Sequence, residues 1–400
     1  MQNEAPIRAT LLPPPSQAAT PWGWARRNLF NSPVNTLLTL LSLALIYVTV
    51  RAALLWVFTT AQWEAVAVNL RLLLIGQYPV SEIWRVWLAL HLLAATAGLS
   101  LGAWRRPWIQ AAWLALPALA ALLPFVGSAA RPNLLGMSAV ALVAFALGRL
   151  GGRATRRAAI GAWVALLPLA LLVIGGAGRV GPFPVVPSNL WGGLLLTFVL
   201  SIAGIILSFP IGVLLALGRR SDLPVVRWAS IIYIEVIRGV PLVTILFMAS
   251  NMVPLFLPGG MSIDRVLRAV VGITLFSAAY LAENVRGGLQ AIPRGQYEAA
   301  HALGLNGLLT MGLIILPQAL RLIIPVLVGQ FISLFKDTSL VVTIGLLDLL
   351  GISRSILAQP AYIGSQHEVL VFVTLVYWVI SYGMALVSQR LEKTLGVGER

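Results

Sequence analysis

Residues 190–217 read LWGGLLLTFVLSIAGIILSFPIGVLLAL, a run without one charged side chain. Wound as an α-helix at about 1.5 Å per residue, such a run exceeds the ~30 Å hydrocarbon core of a bilayer. Residues 35–50 and 369–387 are equally free of charge. Lipid offers the backbone no hydrogen bonds, so a spanning segment must be a helix or part of a closed barrel. These runs are continuous rather than alternating with a period of two, which excludes the barrel.

The composition agrees. Hydrophobic residues make up 59% of the 400 positions and charged residues 10%, against roughly 25% charged in soluble domains. The net charge of +15 is not a nucleic-acid footprint, because the arginines cluster in short segments between apolar runs, as the positive-inside rule requires. The chain has no cysteine, which excludes disulfides, zinc–thiolate sites and cysteine nucleophiles. The polar segment to about Pro33, with Pro13, Pro14 and Pro15, is read as a cytoplasmic tail before a retained first helix. The apolar run after Arg26 and Arg27 is too long for a cleaved signal segment.

Ten spans are expected, at roughly 34–58, 83–103, 108–126, 134–150, 159–177, 191–217, 226–257, 265–290, 308–335 and 368–390. The stretch 59–82 mixes Trp63, Glu64, Arg71, Tyr78 and Glu82 with apolar residues and is expected to be interfacial. Alternate loops carry Arg26–Arg27, Arg105–Arg106, Arg149 to Arg157 and Arg219–Arg220, which places both termini in the cytoplasm. Arg265 and Arg268 run against this pattern. The segment RVGPFPVVPSN, residues 179–189, cannot continue a helix because of Pro182, Pro184 and Pro187. It divides a five-span extension (34–180) from a five-span core (188–390), with tails at 1–33 and 391–400. Residues 1–180 are expected to lie outside the transport pathway, so that a chain starting near Pro187 still binds the partner permease, with weakened assembly.

Between the eighth and ninth spans lies IPRGQYEAAHALGLNGLLTMGLIILPQALR, residues 292–321. Glu298-Ala299-Ala300 is followed after three residues by Gly304, after nine more by Ile314, and then by Leu316-Pro317. Pro293 suits the opening of a short helix, where its missing N–H costs nothing. Glu298 is expected near the positive end of that helix, the alanines keep it thin, and Gly304 ends it.

This spacing resembles the EAA signature of ABC importer permeases at every position. The resemblance implies an all-α polytopic membrane protein with a type I permease core, whose cytoplasmic helix at about 293–305 docks on an ATPase through Glu298, Ala299, Ala300 and Gly304. Arg238-Gly239-Val240-Pro241-Leu242, Tyr280 to Gly288 and Lys336-Asp337-Thr338-Ser339-Leu340 resemble the polar amino-acid subfamily. RRNLF (26–30), GQYPV (76–80) and the length resemble the longer permease of general L-amino acid importers. The partners so implied are an ABC ATPase, in two copies, a second homologous permease, a periplasmic solute-binding protein, an amino-acid substrate and the bacterial inner-membrane bilayer, with no nucleic acid. ATP and magnesium would belong to the ATPase, with no cofactor on this chain.

Charges inside spans are rare and face a cavity or one another. Glu235, Arg238, Glu283, Lys336, Asp337 and Ser339 are therefore candidates for the substrate pathway, against the plainer reading of structural pairing, with Glu235 and Arg238 paired at i and i+3. Pro210, Pro241, Pro254, Pro317 and Pro325 permit kinks. Gly204, Ser208 and Gly212 are read as a packing stripe, towards another helix or a partner permease. No phosphate-binding G-x-x-x-x-G-K-[ST] occurs, and His367-Glu368 is not completed to H-E-x-x-H because residue 371 is Val. A non-catalytic transport subunit is thus expected. An ion-coupled transporter or other membrane channel is the alternative.

Overall fold

The computed structural model describes residues 20–106, 108–123, 126–178, 183–258 and 263–395. Most of the expected N-terminal tail, Arg179 and Pro182 of the linker, and the last residues of the C-terminal tail lie outside them. Among the described residues every extended element is helical, and β-bridges occur only singly.

Among the described residues, those from Thr20 to Trp63 belong to one compact unit. Its helix α1 (Pro33–Leu55) opens at Ser32, whose Oγ accepts from the Asn35 N–H at 3.1 Å, with Pro33 in the first turn. A π turn, Trp56–Thr60, prolongs it. None of its side chains is buried, as befits a helix that is apolar all round and solvated by lipid.

Residues from Glu64 onward form the second unit. Its first half holds α2 (Ile83–Ala103), α3 (Arg131–Leu150) and α4 (Arg153–Gly175). The second half holds α5 (Gly193–Arg219), α6 (Pro224–Arg238), α7 (Leu242–Phe247), α8 (Arg265–Gln290), α9 (Arg294–Ala302), α10 (Leu316–Asp337), α11 (Leu349–Leu357) and α12 (Gln366–Leu395). Among the described residues eight helices are long and apolar enough to span a bilayer, or nine if α6 and the segment Leu242–Phe256, bent by 104° to each other, count as one span. The bend falls at Gly239-Val240-Pro241, where proline withholds a helix donor.

The span expected at 108–126 is not one helix. It is broken into Trp108–Ala111, a tight turn Ala112–Ala115 and Leu116–Ala121, with Pro117 at the second break. The chain crosses here nonetheless. A Cβ on Gly98 would meet the Ala141 carbonyl, and one on Gly102 would meet Phe145 and Gly148. Position therefore advances in the same direction along both helices, and α2 and α3 run parallel. Residues 104–130 must return across the bundle to join them. Ala111, Leu114 and Ala121 of the broken segment are buried, the first two in one cluster with Ala141 and Phe145. The tenth passage is present without a continuous helix.

Within the stretch expected to be interfacial, residues 64–82 are packed against the helices of the second unit. Helices Glu64–Val68 and Leu70–Ile75 lead to Tyr78, and both Leu73 and Tyr78 are fully buried. Tyr78 shares a cluster with Ala89, Ile174 and Val186, and with Leu196, Leu200, Leu246, Ile273 and Val341 of the second half. Its hydroxyl donates to the Ile174 carbonyl at 2.7 Å, and burial pushes that hydroxyl up to about 12. Arg85 donates to the Pro184 carbonyl at 2.7 Å and pairs with Glu82 at 2.8 Å. Gly76 bridges to Trp191, at the start of α5. The first half of this unit is therefore built into the second half rather than hung beside it.

The expected packing stripe faces inward. A Cβ on Gly204 of α5 would meet Ile273 of α8, one on Gly212 would meet Ala278 and Leu281, and Ser208 between them is fully buried. Of the two arginines that run against the charge pattern, Arg268 donates to the Ser250 carbonyl in the π turn that follows α7. A cation there meets the negative end of a helix.

Asp348, wholly buried, caps α11 by accepting from the Gly351 N–H at 2.9 Å and from the Tyr377 hydroxyl at 2.9 Å. Burial raises its carboxyl above the usual range, and these donors oppose the rise. Asp348→Asn keeps an acceptor for the cap and is expected to cost little. Asp348→Ala orphans the donors and is expected to cost about 1–2 kcal/mol. Thermal unfolding of the detergent-solubilised protein checks this, and equal midpoints for the two variants would contradict it.

Candidate functional site

At one end of the bundle, α8 gives way at Ile292-Pro293 to α9, and Pro293 is extended (φ −60°, ψ 143°) as its N-cap. The helix ends in a hydrogen-bonded cap on Gly304, at φ +77°. The Gly304 N–H donates to the His301 carbonyl at 2.9 Å and the Leu305 N–H to the Ala300 carbonyl at 3.1 Å. That pairing is the Schellman motif, whose left-handed residue favours glycine. Asn306 then caps the next turn through the Leu309 N–H at 2.9 Å. A π turn, Thr310–Ile315, leads into α10, with Pro317 in its first turn.

The faces of α9 differ. Ile292 and Ala300 are buried with Val285, Leu289 and Ile315, and Tyr297 packs against the same cluster. Glu298, Ala299 and Gly304 are exposed. Leu303 is 79% and Leu308 87% exposed, beside a helix otherwise rich in polar residues. Glu298 stands mid-helix, and no acidic residue occupies the first turn. The expected dipole rationale for its charge therefore does not apply.

Immediately above α9, an ion network joins three helices. Glu283 of α8 meets Arg219 of α5 at 2.8 Å, Arg286 at 2.7 Å and Arg238 of α6 at 3.5 Å. Arg219 also meets Glu235 of α6 at 2.9 Å. The sequence brings Glu235 and Arg238 within one turn, but each pairs elsewhere in this geometry. Two carboxylates serve three guanidinium groups. Such charges at the rim of a membrane domain are tolerable because they neutralise one another. Arg238 also lies over the Tyr280 ring, 5.5 Å from its centroid.

Tyr280 lines a cavity of about 440 Å³ between α8 and α10, which Leu242 reaches from the start of α7. Its polar lining is Ser277, Asn284, Gln330, Ser333 and Asp337. Asn284 donates to Gln330 Oε1 at 2.6 Å, and Gln330 donates to the Ser277 carbonyl at 2.9 Å. Of the residues anticipated from sequence, Asp337 faces this cavity, while Lys336 is exposed and Ser339 is absent from the lining. Glu235, Arg238 and Glu283 gather at the mouth instead. Ser277, Asn284, Gln330 and Ser333 carry no charge and were passed over. Their signal is spacing: Ser277, Tyr280 and Asn284 recur at three and four residues, as do Gln330, Ser333 and Asp337.

Apolar helices long enough to cross a bilayer, with a half-exposed helix at one end of the second unit and a polar cavity behind it, have the architecture of a multi-pass membrane permease. Residues 208–397 match the family model described as binding-protein-dependent transport system inner membrane component. The chain is 39% identical over 392 residues to the inner membrane amino-acid ABC transporter permease protein YhdY of Escherichia coli (strain K12), covering 94% of this chain and 93% of that one. It is 37% identical over 444 residues to the glutamate/glutamine/aspartate/asparagine transport system permease protein BztC of Rhodobacter capsulatus, covering 99% of each. A solved structure described as an amino acid ABC transporter with histidines is 31% identical, covers 50% of this chain and 92% of its own, and superposes with a TM-score of 0.46. The chain belongs to the family of binding-protein-dependent transport system inner membrane components, on the branch of amino-acid ABC transporter permeases. It is a multi-pass inner-membrane protein.

Proposed function

We propose that this chain forms, with a second homologous permease, the translocation pathway of an ATP-driven importer of polar amino acids. An ATPase docks on α9 from the cytoplasm, one copy beneath each permease, and supplies the ATP and magnesium chemistry. A periplasmic solute-binding protein delivers the amino acid to the opposite face. The transport core is residues 188–390 and the extension 34–180, with both termini cytoplasmic. The observation that carries this reading is α9 itself, a short helix anchored by Ala300 and Tyr297 that leaves Glu298, Ala299 and Leu303 uncovered. The orientation draws on the arginines. Arg149 and Arg156 donate to the Arg106 and Ala103 carbonyls at the end of α2, and Arg220 lies beside α9. A cytoplasmic face rich in arginine is the favoured one.

A photo-crosslinker placed at Leu303 in the native membrane tests the docking. Capture of an ATPase subunit is expected. Capture of lipid alone, with ATP-independent uptake, would favour the ion-coupled alternative.

The cavity supports the substrate side. An amino acid brings an ammonium and a carboxylate, each costing several kcal/mol to leave unpaired away from water. Asp337 offers the ammonium a partner, while Asn284, Gln330 and Ser333 offer hydrogen bonds. Asp337→Asn is expected to lower uptake by tenfold or more with basal ATP hydrolysis kept within twofold, while Ser339→Ala changes neither. Parallel uptake and hydrolysis assays on reconstituted complex check this, and normal uptake by Asp337→Asn would contradict the assignment. Glu235→Gln and Arg238→Gln, at the mouth, are expected to fall between the two.

A further inference from the structure

We propose that Arg219 and Arg220, adjacent at the end of α5, are positioning residues that relay the movement of α9 to the mouth of the cavity. This rests on the reading of α9 as the ATPase-docking helix. Successive helical residues point about 100° apart, so one helix end reaches two places at once. Arg220 donates to the Tyr297 hydroxyl of α9 at 3.2 Å, with its guanidinium 5.9 Å from the ring centroid. Arg219 turns the other way, to Glu235 on α6 and Glu283 on α8.

The contacts continue without a gap. Glu283 also holds Arg238, which stands just before the bend between α6 and α7 and covers Tyr280, a wall of the cavity. The path is Tyr297, Arg220, Arg219, Glu283, Arg238, Tyr280. Covalent linkage ties α9 to α8 through Ala291 to Pro293 and to α10 through residues 303–315, and Gln318 of α10 donates to Gln296 of α9 at 3.2 Å. The two arginines add α5 and α6, so a displacement of α9 reaches α6, beside the bend that leads to Leu242, together with α8, which lines the cavity. Arg286 strengthens the α8 end, gripping Glu283 by two donors and Gln290 by a third. Glu283 is 14% exposed and Arg219 24%, so this part of the path is less screened by salt than a surface pair.

The whole complex, with its ATPase and solute-binding protein, is reconstituted in proteoliposomes, and uptake and ATP hydrolysis are measured on the same vesicles. Absence of ATP-driven uptake in the wild type would overturn the reading of α9 on which the relay rests. Given that uptake, Arg219→Gln and Arg220→Gln are each expected to lower the amino acid carried per ATP at least threefold at unchanged membrane level. Arg220→Lys is expected to restore at least half, and the double glutamine variant to lose less than the product of the single losses. A merely structural role would lower uptake and hydrolysis in parallel, leaving the ratio unchanged. That outcome, or losses that multiply fully, would overturn the relay. Tyr297→Phe removes one hydroxyl and leaves the ring packed, so it serves where Arg219→Gln fails to assemble. An unchanged ratio in both Tyr297→Phe and Arg220→Gln would then also overturn it.

Discussion

Gly304→Trp is expected to abolish uptake, by at least tenfold, while the subunit remains in the membrane at near wild-type level. Gly304 holds φ +77° at the end of α9, and nothing lies within 4 Å of where a side chain would begin. The bundle thus has room for the tryptophan, and the folding cost is limited to the left-handed backbone, about 1–2 kcal/mol. The functional cost is larger for two reasons. Relaxing that strain unwinds the cap formed by the Gly304 and Leu305 N–H groups, which changes how the chain leaves α9. The bulky ring also occupies the exposed surface on which a partner would seat. Immunoblotting of membranes beside uptake measurement separates the two. Normal uptake by Gly304→Trp would remove α9 from the coupling role, and loss of the protein would mean that the glycine is needed chiefly for folding.

The second large effect concerns the extension. A chain beginning near Pro187 is expected to accumulate at less than a third of the wild-type level, while one beginning at Glu64 accumulates within twofold. The proline-rich linker divides extension from core in the sequence, but the packed helices of the second unit do not separate there. Truncation at Pro187 removes Leu73 and Tyr78, both fully buried, from the cluster that holds Leu196, Leu246 and Val341 or from its border. It also removes the Gly76 bridge to Trp191 and the Val186 N–H bond to the Gly175 carbonyl. Lipid tails can cover the apolar surface left behind, so the loss is one of packing and hydrogen bonds rather than of hydrophobic burial. A chain beginning at Glu64 keeps the whole second unit. Equal accumulation of the two truncations would contradict this account.

The sequence was most informative where one chemical requirement dominates. Continuous apolar runs located the long helices, because the bilayer demands some twenty apolar residues and no free backbone groups. Pro293 and Gly304 bounded α9 because proline and glycine restrict the backbone by themselves. The passage at 108–126 was foreseen as a helix, yet Pro117 and the turn before it divide it. Only the parallel packing of α2 on α3, a tertiary fact, shows that the chain crosses. Arg219 looked like one more loop arginine, since its partners lie sixteen and sixty-four residues away. Glu235 and Arg238 looked like a pair because local spacing is all a sequence displays, and α5 supplied the competing cation. The neutral lining of the cavity gave the weakest signal, since Ser277, Asn284 and Gln330 acquire meaning only when α8 and α10 face each other across it.

The central claim is that this permease moves its substrate on ATP hydrolysed by another chain. Its most direct test is uptake of radiolabelled amino acid into proteoliposomes containing this chain, its partner permease and the ATPase, with the solute-binding protein supplied on the side opposite the ATPase. Uptake is expected to need ATP and magnesium on the ATPase side and the solute-binding protein on the other, and to persist when proton and sodium gradients are collapsed. Uptake that continues without ATP and stops when those gradients are removed would contradict the claim.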